Sequence, residues 1–194
     1  MSDNIVQLDA DHPGFSDPEY RRRRDEIARM APAFDSDDPP RRVEYTDRER
    51  ETWRTVFSKL TALYPTHACT EYREVIDAMG YSADAIPQLA DVSSFLSERS
   101  GFRLKPVTGL VTARQFLGAL SRRIFCATQY IRHHSEPLYT PEPDIVHELM
   151  GHAPMLGIEE FADLSQKIGE GSLGADDEQV EDLADTGAHP RELD

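Results

Sequence analysis

Between residues 16 and 100 the apolar positions of this chain recur mostly at helical spacing, punctuated by prolines, glycines and short charged stretches. Ser16 with Glu19 three residues on has the form of a capping box, Asp17 and Pro18 suit a first turn, and a helix is predicted to run to about Met30. Residues 34–44 read as a polar loop too short to separate two cores. Thr46 and Glu49 form a second capping box. It opens a helix whose apolar stripe is Trp53, Val56, Phe57, Leu60 and Leu63, and Pro65 should stop it. Residues 68–79 make a third helix closed by Gly80. Pro87 begins a fourth that runs towards Glu98, with Gly101 as a left-handed cap.

The pattern then changes. Phe102 to Val107 and Ile124 to Gln129 are short β-compatible runs on either side of a helix expected over residues 112–121. Residues 130–144 hold three prolines, two histidines and an arginine, too many breakers for regular structure, and a loop this rich in reactive groups is a natural place for a site. Helices are expected again at 144–150, 158–169 and 176–184. Residues 1–15 lack periodicity and read as an extended arm lying on the domain. The whole is a mostly α chain with a few short β-strands, and 194 residues suffice for one sizeable core.

Charge narrows the function. There are 36 acidic residues against 21 basic ones, a net −15, which repels phosphate backbones and anionic membranes. The run Arg21 to Arg24 is flanked by Asp25 and Glu26 and reads as a solvated helix face rather than a nucleic-acid patch. No basic segment followed by an apolar run opens the chain, and no apolar stretch reaches about 18 residues, so a cytoplasmic protein without a membrane span is expected. Cys69 and Cys126 read as reduced core thiols.

The chemistry concentrates at His147-Glu148-Leu149-Met150-Gly151-His152. Zinc-protease histidines stand at i, i+4, about 40° apart around an α-helix, whereas i, i+5 leaves these two about 140° apart. They can meet at one metal only where the helix ends or distorts between them, and Gly151 and Pro154 supply the means. Two histidines and a carboxylate with open positions make the facial triad of non-haem Fe(II) oxygenases. On spacing alone a packed and a surface histidine near a helix end is an equal reading.

The segment from Tyr139 to Pro154 resembles the signature of the pterin-dependent aromatic amino acid hydroxylases, in the branch acting on phenylalanine. Other segments are similar to the family in the same order. They are Asp11-His12-Pro13-Gly14-Phe15, Arg42-Val43-Glu44-Tyr45, Tyr64 to Cys69, Ile86 to Leu89, Gly101 to Leu104, Thr128 to His133, and Ser172 to Ala175. The resemblance covers residues 11 to about 184 and implies the helical basket of that catalytic domain.

It also implies roles. His147 and His152 would ligate Fe(II), Arg132 would bind the substrate carboxylate with Asp144 holding it in place, and Thr140 and Pro141 would line the amino-acid pocket. Gly109, Leu110, Val111, Ala113 and Phe116 would form the loop and stacking wall for tetrahydrobiopterin, although Phe116 read alone is a core residue. Glu148, the catalytic carboxylate, would face the pterin through water, and Ala184 would close the site. The implied reaction uses O2 to hydroxylate an aromatic amino acid, phenylalanine to tyrosine.

After Ala184 the likeness stops. The family continues with an aromatic-rich helix that delivers an iron-binding glutamate, then further catalytic domain. Here residues 185–194 diverge, and the C-terminal part, the family's oligomerisation elements and any N-terminal regulatory domain are expected to be missing. Glu192 lies at the register of that ligand, but Gly187 and Pro190 disfavour the helix that would aim it, and an exposed charge in a tail is the other reading; His189 is a weaker substitute. A catalytically inactive remnant is therefore the alternative to a working monooxygenase, and uncovered apolar helix faces are expected.

Overall fold

The computed structural model describes residues 8–34, 36, 38–109 and 111–188. Four helices come first: α1 Pro18–Ala28, α2 Asp47–His67, α3 Thr70–Met79 and α4 Leu89–Ser100. A βαβ unit follows, of β1 Arg103–Pro106, α5 Ala113–Leu120 and β2 Ile124–Ala127. The loop after β2 leads into a π-helical turn, His147–His152, continuous with α6 Ala153–Leu156, and α7 Glu159–Gly171 and α8 Asp177–Ala188 complete the order.

Most helix ends obey their sequence signals. Thr46 and Glu49 form the reciprocal capping box, as do Thr112 and Gln115 at α5, and Gly80 and Gly101 close α3 and α4 at φ of 66° and 76°. Two ends do not. The cap of α1 is Asp17, not Ser16: its Oδ1 accepts from Glu19 N and Tyr20 N at 2.9 and 3.0 Å, which satisfies two orphan donors from one position later. Pro65 does not stop α2. The N–H it lacks falls in the last turn, where only one bond is lost, and Ala68 N still closes on the Tyr64 carbonyl at 3.1 Å.

The two strands pair in parallel, Arg103 opposite Ile124 through Pro106 opposite Ala127, and α5 is the crossover such a pairing demands. An isolated two-stranded sheet is marginal in water. Here β2 is buried at every position, α4 packs on β1, and α5 packs on β2, α7 and α8. The core joins Trp53, Leu96, Phe102, Leu117, Ile145 and Leu149, so the site loop and the π turn are anchored by Ile145 and Leu149 in the main apolar mass.

Four further expectations are corrected. The described part of the arm is coiled into turns, with His12 N bonded to the Asp9 carbonyl and Phe15 N to the His12 carbonyl, because Pro13 and Gly14 favour turns and Gly14 lies against the Tyr20 ring. Cys69 is exposed at the start of α3, while Cys126 is buried as expected. Helix α8 passes through Gly187 to Ala188, since one glycine costs a helix only about 1 kcal/mol and neighbouring bonds carry it. Leu63, expected on the core-facing stripe of α2, is instead 50% exposed and borders an open groove of about 420 Å³ with Leu60, Tyr64 and Met155.

Candidate metal and cofactor site

The chain is helical from residue 145 to residue 156, and it does not end at Gly151; it widens. In an α-helix the Met150 carbonyl would accept from the N–H of residue 154. Residue 154 is proline, which has no N–H and whose ring would strike that carbonyl. The helix adopts i to i+5 bonding instead, with Ala153 N reaching the Glu148 carbonyl. Tyr72 of α3 donates its hydroxyl hydrogen to the freed Met150 carbonyl at 2.5 Å, and the Tyr64 hydroxyl lies 2.9 Å from Tyr72.

This turn stacks residue 152 over residue 147. Their Nε2 atoms are 2.9 Å apart. Two cis ligands of an octahedral ion with bonds of about 2.0–2.1 Å stand about 2.9 Å apart, so the pair fits one metal. Glu148 joins them, with a ligand atom of each of the three residues within 4.8 Å of the others. Its carboxylate is buried and accepts from Thr128 N and Thr128 Oγ1 at 3.2 and 3.4 Å. Burial pushes the Glu148 carboxyl up to about 8, opposed by the Thr128 backbone N–H; burial and then His147 bring His152 down to about 4, the neutral form a metal requires.

Arg132 and Asp144 form a two-pronged ion pair. Arg132 Nη2 reaches Asp144 Oδ1 at 2.7 Å and Nε reaches Oδ2 at 2.9 Å. Asp144, 1% exposed, also accepts from Arg132 N at 2.8 Å and from His147 N at 3.0 Å. One carboxylate thus ties the arginine of the loop to the first turn of the histidine helix. The Nη1 side of the fork has only a 3.5 Å contact with the Pro137 carbonyl.

Other expected site residues are placed as follows. Thr140 is half-buried with its hydroxyl on the Glu142 carbonyl at 2.6 Å, and Pro141 is exposed. Gly109, Val111 and Ala113 lie at the turn from β1 into α5. Phe116 sits edge-on to Phe125 at 5.5 Å, and Phe125 in turn contacts the His152 ring at 4.9 Å. Phe116 is both core-packed and one ring removed from the histidine pair. Ala184 lies on α8, which packs against α5. Leu110, Glu192 and His189 lie outside the described residues.

The family described as biopterin-dependent aromatic amino acid hydroxylase matches residues 2–188. The chain belongs to this family. It is 55% identical over 183 residues to phenylalanine-4-hydroxylase of Mus musculus, covering 92% of this chain and 40% of the relative. It is 54% identical over 181 residues to tyrosine 3-monooxygenase of Canis lupus familiaris, covering 91% and 37%. The chain therefore spans about two fifths of the curated hydroxylases it matches. Among solved structures, the apo phenylalanine hydroxylase of Colwellia psychrerythraea 34H is similar with a TM-score of 0.72 at 33% identity, over 78% of this chain and 59% of that one. That of Chromobacterium violaceum with bound iron(III) and 7,8-dihydrobiopterin gives 0.71 at 28% identity, over 76% and 54%. The helical-basket fold of these hydroxylases is thereby established for the chain.

Several residues around this site have no counterpart in the sequence-derived set. Arg24 is the plainest correction: it is not a solvated residue but 2% exposed. Its Nη2 lies 2.7 Å from Glu142 Oε2 and its guanidinium 3.9 Å from the Tyr130 ring centre, so it binds α1 to the site loop. Nothing in the run Arg21 to Arg24 distinguishes it. Tyr72 was legible in part, as a tyrosine on the buried stripe with Val75 and Ile76, whose hydroxyl needs a partner. Thr128 and Phe125 belong to or follow a strand buried on both faces, where alternation gives no direction.

Proposed function

We propose that this chain carries the metal-binding and part of the substrate-binding machinery of a monooxygenase that converts phenylalanine to tyrosine with Fe(II), tetrahydrobiopterin and O2. The observation behind this reading is the 2.9 Å approach of His147 and His152 on the π turn, tied through Asp144 to Arg132. The donor set, two neutral imidazoles with a carboxylate nearby, suits Fe(II) with positions left open. Iron and reduced pterin, when bound, supply the activation of O2.

The chain's own residues do the positioning. Asp144 neutralises part of Arg132 and fixes its plane, and the Nη1 edge is left to pair with the carboxylate of an amino acid. Thr140 and Pro141 flank that pocket. Glu148, buried beside Thr128, faces the pterin through water, while Gly109, Leu110, Val111, Ala113, Phe116 and Ala184 form the pterin wall. Phe125 shields the His152 imidazole from water on one side. Glu192 is the candidate third ligand from the chain. The cytoplasm suits this acidic protein, and among the described residues no helix is long and apolar enough to cross a membrane.

The test is anaerobic Fe(II) titration by calorimetry, followed by tyrosine formation from phenylalanine with reduced pterin in air. Iron binding that His147→Ala abolishes, with turnover, supports the reading. A chain that retains no iron and shows no pterin affinity overturns it.

A further inference from the structure

Directly after Arg132 in the chain, a second set of metal-ligating side chains converges. Asp17, His133 and His134 each offer one ligand atom, and these three atoms lie within 4.8 Å of one another. We propose that they form a second metal site, for a divalent transition ion of the zinc type, which clamps the loop carrying Arg132 to the start of α1.

Each ligand is presented by a separate local device. Asp17 spends Oδ1 on the α1 cap, leaving Oδ2 turned to His133 Nε2 at 3.3 Å. That separation is close to the roughly 3.3 Å between two ligands of a tetrahedral ion with bonds of about 2.0–2.1 Å. His133 is buried, with the Tyr20 ring edge-on to it at 4.9 Å, so its direction is set before any ion arrives. Its Nδ1 lies 2.7 Å from Ser135 Oγ, an acceptor for the Nδ1 hydrogen once Nε2 gives its lone pair to a metal, at the expense of a longer 3.3 Å contact from Ser135 N.

His134 decides between an ordinary ion pair and a metal site. The His133 to Asp17 contact alone needs no third member, yet the turn closed by Glu136 N on the His133 carbonyl folds the exposed His134 ring to 4.2 Å from that of His133. Two imidazoles so close repel when protonated and cooperate when neutral around a cation. The groove of about 440 Å³ that His134 and Asp17 border leaves space for the water or carboxylate that would complete the coordination. Its walls carry both signs: Glu19 and Asp47 against Arg22 and Arg48, with Arg23 already held by Glu49 at 2.9 Å.

These ligands are separate from His147 and His152, so the two sites can be told apart. The experiment is Co(II) titration, read by calorimetry and by the visible spectrum of the bound ion. The unmodified chain is expected to take up two equivalents and His134→Ala one. In a His147→Ala/His152→Ala background one equivalent should remain, and Asp17→Asn, which keeps an acceptor oxygen for the α1 cap, should weaken it by more than about 100-fold. Two equivalents in the His134→Ala chain overturn the proposal, as does uptake of a single equivalent by the unmodified chain that His134→Ala leaves in place. So does unchanged affinity on Asp17→Asn.

Discussion

Replacing Tyr72 by phenylalanine isolates the device that makes the histidine pair. The substitution removes one hydroxyl from α3 and leaves the ring packed in place. The Met150 carbonyl then loses the hydrogen bond it receives at 2.5 Å, and no N–H of residue 154 exists to replace it. Leaving a buried acceptor unsatisfied costs about 1–3 kcal/mol. Where that loss falls on the π turn, it raises the free energy of the arrangement in which His147 and His152 face one point, and metal affinity drops by roughly 5- to 150-fold. Calorimetric titration of Tyr72→Phe with Co(II) or anaerobic Fe(II) measures this, beside thermal unfolding of the metal-free chain. A variant that loses stability but binds metal as tightly as the parent refutes the assignment of Tyr72 to the turn. Unchanged stability and unchanged affinity refute the hydrogen bond itself.

Asp144→Asn leaves Arg132 without its buried partner and should destabilise the chain by about 3–5 kcal/mol in urea titration; a loss below about 1 kcal/mol would mean that the pair is not buried in solution. Gly169→Ala should destabilise by about 1–3 kcal/mol or more, despite alanine's better helix propensity, because the added carbon would lie 2.3 Å from Ser121 N and 2.7 Å from the Leu117 carbonyl where α7 crosses α5. Burial pushes the Cys126 thiol up to about 11, so the unfolded thiol ionises first and stability should fall as pH rises from about 9 to about 11, by about 2–3 kcal/mol. Cys126→Ala should flatten that fall in pH-dependent melts, and a thiol reagent at neutral pH should label exposed Cys69 alone in the folded chain.

Periodicity and capping residues are local, and they placed the elements. The stripe from Trp53 to Leu60, the cap at Thr46 and the glycines at 80 and 101 reappear, because each encodes which face of a short segment leaves water or which backbone donor is met nearby, while Leu63, read as the end of that stripe, is 50% exposed. The requirement that the helix distort between His147 and His152 was likewise legible, from a spacing of five and a proline at 154. The resemblance to the hydroxylases extended this to named roles for Arg132 and Asp144, and the structure brings those two together.

What tertiary structure alone decided is how polar groups are partnered across the chain. Arg24 meets Glu142 at a separation of 118 residues, and Tyr72 meets Met150 at 78. Neither link leaves a periodic trace, since a hydrogen bond depends on where one atom arrives rather than on the average polarity of a face. For the same reason Arg24 could not be told from Arg21, Arg22 and Arg23, nor exposed Cys69 from buried Cys126, and the choice of a π turn over a helix end awaited the tyrosine that satisfies its open carbonyl.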